Sequence, residues 1–150
     1  MPVERVTSSS TEETDRLAGE FVRRVRPGDW VGLTGPLGAG KSVWVRGMAR
    51  ALGVTDPVVS PSFTLVNVYR GQVNLCHVDL YRLRAVEEVI DFGLDTLNDE
   101  DTVVVVEWAE RLSEAKLPFR WIVDLQRTDE TRRNITVHEL VAADAEDSRL

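Results

Sequence analysis

Hydrophobic residues in the first third of the chain switch between helical and strand-like spacing. Apolar side chains over residues 11–26 fall on one helical stripe, so a helix is expected to begin near Thr11 and to end before Pro27. Residues 30–34 form a short apolar run without polar alternation, which is typical of a strand covered on both faces. Helical spacing returns at Lys41 and ends at Gly53. This region therefore predicts a helix, a buried strand, a glycine-rich loop and a second helix.

The rest of the chain is rich in strand signals. Residues 64–80 contain two apolar stretches around the turn 70–72, which predicts an antiparallel hairpin. The run 101–107, with four consecutive valines, is the strongest strand signal, and residues 121–125 and 134–140 add two more. We therefore expect an α/β fold: a three-layer sandwich whose mixed, mostly parallel central sheet includes the antiparallel hairpin.

Composition narrows the class of protein. The 150 residues are expected to form a single domain over 1–150, with 142–150 as a flexible acidic tail. The formal net charge of −7 argues against a freestanding nucleic-acid binder. The longest apolar run, Val103 to Val106, is far too short to span a bilayer, so no membrane association is expected. The single cysteine, Cys76, fits a reducing, cytoplasmic setting.

The loop between the first predicted strand and the second helix carries a phosphate-binding motif. Residues 35–42 read GPLGAGKS and fit G-x-x-x-x-G-K-[ST], the signature of P-loop NTPases. Glycines let backbone N–H groups turn toward an anion, and the helix N-terminus adds a positive field. Lys41 is expected to be an exposed loop residue with little packing that reaches the β- and γ-phosphates, and Ser42 is expected to bind Mg²⁺. The candidate nucleotide-binding residues are Gly35, Leu37, Gly38, Ala39, Gly40, Lys41, Ser42 and Val43. The alternative interpretation is an ordinary glycine-rich turn.

Two acidic residues that end apolar strands are the candidate catalytic acids. Glu107 follows the four valines at the carboxyl end of a strand, where ligands bind in open α/β sheets. Asp79 ends the second strand of the predicted hairpin. We expect Glu107 to serve the Mg²⁺ site and catalysis, with Asp79 as its partner, so that one acid holds the ion and the other orients water. The alternatives are an ordinary strand-end carboxylate for Glu107 and a turn cap for Asp79.

The predicted ligands are ATP and Mg²⁺. GTPases usually carry an Asn/Thr-Lys-x-Asp element, and no asparagine of this chain precedes a lysine. His77 and His138 are too few to argue for a zinc site and are expected to be structural. Cys76 is interpreted as a small apolar strand residue without chemistry.

Taken together, these motifs resemble those of the TsaE family, bacterial ATPases that support threonylcarbamoyladenosine formation on transfer RNA. The resemblance runs from about residue 8 to about residue 126. It depends on LTGPLGAGKS (33–42), Arg46-Gly47, SPSFTL (60–65), HVDLYRL (77–83), Glu87-Glu88, Phe92-Gly93-Leu94 and VEWAE (106–110). The strings SPSFTL and HVDLYRL are more discriminating than the phosphate loop, which many unrelated ATPases share.

The resemblance implies a small P-loop ATPase that hydrolyses ATP weakly alone. It implies two partners, the transferase subunit TsaD and its inactive paralogue TsaB, whose complex the ATPase would drive or reset. It also implies that loops 60–64 and 79–82 respond to nucleotide. The roles implied by position are phosphate and metal binding for Lys41 and Ser42, the Mg²⁺ site for Glu107, the switch for Asp79 and a wall beside the site for Trp108. A core aromatic is the alternative for Trp108.

The chain departs from the family pattern at several positions. Pro36 stands where the family commonly has Asp, which removes one N–H from the loop and one carboxylate near the γ-phosphate. Ser42 and Val43 stand where two threonines are usual, and Ser62 where Thr is commoner; Ser42 keeps the hydroxyl.

Two other functions share the phosphate loop. A small-molecule kinase needs a basic lid over the phosphates, whereas Arg82, Arg84, Arg111 and Arg120 are scattered along the chain. A nonhydrolysing nucleotide switch would use binding alone to drive partner docking. The sequence does not separate slow hydrolysis from none.

Overall fold

The structure, a computed structural model, describes residues 3–58, 66–80, 100–109 and 118–140. Its elements in chain order are β1 (Val3–Ser8), α1 (Thr11–Val22), β2 (Trp30–Thr34), α2 (Lys41–Ala51), β3 (Val66–Tyr69), β4 (Asn74–Asp79), β5 (Thr102–Glu107), β6 (Phe119–Arg127) and β7 (Arg133–Glu139). Both predicted helices, the hairpin and the three later strands are confirmed, with ends that shift by a few residues.

Within the described ranges, seven strands form one sheet in the order β1-β7-β6-β2-β5-β4-β3. The three ladders that join β6, β2, β5 and β4 are parallel, whereas β1–β7, β6–β7 and β3–β4 are antiparallel. The mixed α/β sheet with its hairpin is therefore confirmed, and parallel pairing is concentrated in its centre. Because β2 lies between two parallel neighbours, the loop that follows it emerges beside the carboxyl ends of β5 and β6.

The helices α1 and α2 pack together on one face of the sheet. The Phe21 ring of α1 contacts Trp44 of α2 and Trp121 of β6, with ring centroids 5.5 and 5.3 Å apart. Gly47 brings the two helix backbones close, because a Cβ at this position would overlap the carbonyl oxygen of Asp15. The position of α2, and of the loop before it, is therefore set by direct contact with α1.

The opposite face carries a second apolar cluster, built around Trp30, Cys76, Val78, Val104 and Phe119. The second helical layer expected there lies outside the described residues. So do the predicted switch residues 60–64 and 81–82 and the predicted tail. No helix in the described ranges is long and apolar enough to cross a membrane.

Two features at the start of the chain differ from the sequence-based expectation. Strand β1 was not expected; it pairs only with β7, at an edge of the sheet, and its side chains are mostly exposed and polar. Ser10, rather than Thr11, caps α1: its Oγ accepts a hydrogen bond from the Glu13 N–H at 3.0 Å. Glu13 Oε1 in turn accepts from the Ser9 N–H at 2.9 Å, which completes a close variant of the capping box.

Candidate active site

The loop between β2 and α2 has the backbone conformation that a phosphate-binding loop requires. Gly35, Gly38 and Gly40 all have positive φ, at 134°, 80° and 103°. A Cβ at Gly35 would also overlap the carbonyl oxygen of Leu125 on β6. The glycines of the motif are therefore demanded by the turn itself, and at Gly35 by the neighbouring strand as well.

The α2 N-terminus is left open by its own sequence. Gly40 occupies the N-cap position and offers no side-chain hydrogen bond, and the first turn contains no acidic residue. Ser42, the second residue of the helix, is exposed. No side-chain cap therefore competes for the first N–H groups of the helix, and a helix end of this kind can bind an anion.

Lys41 lies inside the loop rather than outside it. We expected an exposed lysine with little packing, which is wrong: Lys41 is only 5% exposed. Its ammonium donates to the carbonyl oxygens of Gly35 and Pro36, the latter at 3.3 Å. It also lies 3.3 Å from the centroid of the Trp108 ring, a cation–π contact. The loop thus encloses a positive charge that its own carbonyls and an aromatic face hold in place.

Trp108 adopts an unusual backbone conformation directly after β5. Its φ of 62° is the left-handed conformation, and among the described non-glycine residues it alone has a positive φ. The side chain is half-buried and packs against the second apolar cluster. Such a conformation costs of order 1–3 kcal/mol and recurs where a ligand site requires it. The ring packs against the core and also lies against Lys41, and its role as a wall beside the site stays a prediction.

Glu107 and Asp79 are brought together at the carboxyl ends of adjacent strands. The parallel register of β4 and β5 pairs Asp79 with Glu107, and the register of β2 and β5 pairs Leu33 with Glu107. Glu107 is 3% exposed, while Asp79 is half-buried. Both acids therefore lie at the sheet edge where the phosphate loop emerges: Glu107 ends the strand next to β2, and Asp79 ends the strand after that one.

Sequence reasoning missed the residue that contacts Glu107. His77 was expected to be structural, yet its Nε2 lies 2.5 Å from Glu107 Oε2, with both side chains buried. Residues 77 and 79 are two apart on β4, so they share a face of the strand, and this spacing was the available signal. Glu107 thus belongs to a histidine–carboxylate pair and not to an open crevice wall.

Two side-chain oxygens near the phosphate loop are of the kind that binds Mg²⁺. Among the described residues, no three His, Cys, Asp or Glu side chains gather into a cage. Mg²⁺ at phosphate sites needs only one or two protein oxygen ligands, because phosphate and water oxygens complete the octahedron. The exposed Ser42 hydroxyl at the start of α2 and the Glu107 carboxylate supply oxygen ligands of that kind. The residues present therefore fit Mg²⁺ bound together with phosphate.

A cleft of about 220 Å³ adjoins the loop on the side of α1. Its lining residues come from the start of α1, the start of α2 and the β6–β7 turn: Ser10, Thr11, Glu12, Thr14, Gly40, Val43, Glu130, Thr131 and Arg133. Of these, only Gly40 and Val43 were predicted as site residues. The others were missed because the topology, and not a local motif, joins the chain start to the β6–β7 turn.

The β6–β7 turn is held by Asp129. Its carboxylate accepts hydrogen bonds from the N–H groups of Thr131 and Arg132, each at 2.9 Å, and these bonds keep the pKa of Asp129 below its ordinary value. The turn places the Arg133 Nε 3.6 Å from where a Cβ at Gly40 would lie. A basic side chain thus stands at the junction of cleft and loop.

Of the remaining residues discussed from the sequence, Leu37 and Ala39 lie in the loop and Cys76 lies in the core. Leu37 at the loop tip is 75% exposed, whereas Ala39 is buried beneath the loop. Burial raises the pKa of the Cys76 thiol to about 11. This thiol is therefore protonated near neutral pH, which supports its interpretation as an apolar strand residue.

A glycine loop joining a parallel strand to a helix, with an acid at the end of the adjacent strand, defines a P-loop NTPase fold. The family model for threonylcarbamoyl adenosine biosynthesis protein TsaE matches residues 8–135. The chain belongs to the TsaE family, which takes part in biosynthesis of threonylcarbamoyladenosine on transfer RNA.

Individual relatives agree with this assignment. The chain is 35% identical to the TsaE protein of Treponema pallidum, over 89% of this chain and 98% of the relative. It is 37% identical to that of Bacillus subtilis, over 83% and 78%. A crystal structure of Bacillus subtilis YdiB superposes with a TM-score of 0.78 at 32% identity, covering 95% of this chain and 88% of that one.

Proposed function

We propose that this protein binds Mg-ATP in its phosphate loop and hydrolyses it slowly, in support of threonylcarbamoyladenosine modification of transfer RNA. One observation carries the proposal: the buried Lys41 ammonium lies within a loop of three left-handed glycines and against the Trp108 ring at the end of β5. An enclosed ammonium beside a helix N-terminus without a side-chain cap would bind the β- and γ-phosphates of a nucleotide.

The surrounding residues give the other parts of the site their roles. Ser42 and Glu107 would hold Mg²⁺, and the bound ion would neutralise charge on the phosphate oxygens. Asp79, paired in register with Glu107, would orient the attacking water. The cleft between α1, α2 and the β6–β7 turn would receive the base and sugar, because it opens directly beside Gly40.

The partners are proposed from the resemblance to the family and from charge. With a formal net charge of −7, the chain is poorly suited to bind transfer RNA strongly on its own. We therefore place the RNA on the transferase complex of TsaD and TsaB. This protein would join that complex as the nucleotide-loaded component, in a cytoplasmic setting.

The test compares wild type with Glu107→Gln in ATP binding by calorimetry and in phosphate release, alone and with the TsaD–TsaB complex. Both proteins should bind ATP, and the variant should release phosphate at least about tenfold more slowly, roughly 1.4 kcal/mol of transition-state stabilisation. The complex should raise the wild-type rate. Glu139→Gln is the matched control, because Glu139 ends β7, which β6 and β2 separate from β5, and pairs with Arg120.

Three results would contradict the proposal. An equal rate in Glu107→Gln would assign that residue to structure and leave Asp79 as the candidate acid. Transfer of phosphate to a small-molecule acceptor would favour a kinase. ATP binding without phosphate release, even with the complex, would favour the nonhydrolysing switch.

A further inference from the structure

Both side chains of the His77–Glu107 contact are almost fully buried. His77 is 1% and Glu107 3% exposed, and the two side chains meet across the parallel ladder of β4 and β5. Leu75, Val103 and Val105, on the same strands, belong to the apolar cluster beneath α1 and α2. Alternation along the strands puts His77 and Glu107 on that same face. The pair is therefore a polar contact next to an apolar cluster, near the carboxyl ends of β4 and β5.

Stability does not account for this pair. Removing two polar groups from water is costly, and apolar residues of similar volume at such positions are often neutral or stabilising. In addition, His77 Nδ1 is buried and has no hydrogen-bond partner among the described residues, whereas the other ring nitrogen contacts Glu107.

The contact joins one ring nitrogen to one carboxylate oxygen: His77 Nε2 lies 2.5 Å from Glu107 Oε2. Both side chains are almost fully buried, so solvent does not compete for this contact. The ring therefore fixes the orientation of the Glu107 carboxyl group.

We propose that His77 is a positioning residue for Glu107. The contact with Nε2 fixes Oε2, so the carboxyl group would offer Oε1 to the Mg²⁺ or water of the phosphate site. Among the described residues the hydrogen bond of the Glu107 side chain is made by Oε2, in keeping with this division between the two oxygens. The catalytic consequence rests on the proposed function; the contact does not.

The first experiment follows the contact in wild-type protein without nucleotide. In nitrogen-15 NMR of histidine-labelled protein, Glu107→Gln should move the His77 Nε2 resonance, whereas Glu139→Gln should leave it in place. A His77 Nε2 resonance unchanged by Glu107→Gln would overturn the proposal. This readout requires neither hydrolysis nor a bound metal, so it stands even if the proposed function fails.

The second experiment measures ATP affinity with Mg²⁺ and with EDTA, together with kcat and KM, in His77→Phe and His77→Gln. Phe fills the space without a donor, whereas the Gln amide can donate from about the same place. His77→Phe should lower kcat at least tenfold and weaken Mg²⁺-dependent affinity, with affinity in EDTA unchanged, and His77→Gln should recover part of the loss. His138→Phe, the same change at the other histidine of the chain, is the control and should alter none of these values.

A double substitution separates positioning from general damage. In a Glu107→Gln background, His77→Phe should cause little further loss of kcat, because the oriented carboxylate is already absent. A full tenfold loss in that background would show that His77 acts elsewhere. Wild-type kcat and Mg²⁺ dependence in a folded His77→Phe protein would also refute the proposal. Absent hydrolysis in wild type would count against the proposed function alone.

Discussion

The two helices in the described part of the chain begin in opposite ways. At α1, Ser10 accepts from the Glu13 N–H, Glu13 accepts from the Ser9 N–H, and two acids lie in the first turn. At α2, a left-handed glycine replaces the cap, no acid is present, and a lysine follows. The α1 sequence satisfies its own helix end, whereas the α2 sequence leaves that end for something else.

This difference separates a helix start whose N–H groups its own side chains satisfy from one whose N–H groups stay open to an anion. An acid in the first turn stabilises a helix but repels an incoming phosphate, and a side-chain cap occupies the N–H groups that an anion would use. The α2 start gives up both kinds of stabilisation. Its local stability is therefore expected to depend more on packing against α1 and β6, and its open N–H groups remain for a ligand.

The largest expected effect comes from Gly35→Ala in the loop before α2. Its φ of 134° and the overlap of a Cβ with the Leu125 carbonyl oxygen should together lower the free energy of unfolding by about 3 kcal/mol. Urea denaturation measures this value. Gly38→Ala is the control, because its φ is also positive but the nearest atom to its Cβ is an Arg127 nitrogen 3.9 Å away; it should cost about 1 kcal/mol. Equal costs at the two positions would contradict the account of Gly35.

The next effect concerns the charge that replaces a cap at α2. Lys41→Ala should weaken ATP binding roughly 100-fold, about 2.7 kcal/mol, because its ammonium would otherwise form charge-assisted hydrogen bonds to phosphate. Calorimetry measures the affinity, and a melting curve shows whether the buried stem also matters for stability. Arg50→Ala removes a positive charge from the other end of α2, where Arg50 pairs with Asp15, and should leave affinity unchanged. Near wild-type ATP affinity in a folded Lys41→Ala protein would contradict the interpretation of residues 35–42 as a phosphate-binding loop.

The smallest effect lies at the start of α1. Glu13→Ala removes the acceptor for the Ser9 N–H and a favourable charge from the first turn, so the free energy of unfolding should fall by about 0.5 kcal/mol. ATP affinity should not change, since Glu13 does not line the cleft. Denaturation with and without ATP checks both statements. A change in affinity larger than the change in stability would mean that the two helix starts are not functionally distinct.

Sequence was most informative where local geometry demands particular residues. The strand, loop and helix around Gly35 to Ser42 could be predicted because tight turns need glycine and buried parallel strands need apolar runs. Strand β1 escaped prediction because an exposed edge strand needs no apolar alternation, and Glu4, Arg5 and Thr7 provide none. Local signals are thus weak where burial is low.

The parts of the candidate site that depend on contacts between distant segments could not be predicted from the sequence. The contact of His77 with Glu107 joins residues 30 apart, and the cleft joins the chain start to the β6–β7 turn. The burial of Lys41 follows from the Trp108 ring above it, which in turn depends on a backbone conformation that a tryptophan rarely adopts. None of these is encoded in the spacing of one segment.

The close helix contact at Gly47 affects how substitutions far from the loop should be interpreted. It lies on the side of α2 that faces α1, touches no part of the loop, and carries no chemistry, yet any side chain there would act as a wedge against Asp15 and Ala18. Such a wedge would tilt the helix that carries Lys41 and Ser42 at its first two positions. A substitution at Gly47 would then have the phenotype expected from loss of the proposed nucleotide binding. Its cause would be a displacement of α2, and not the loss of a side chain that contacts the nucleotide.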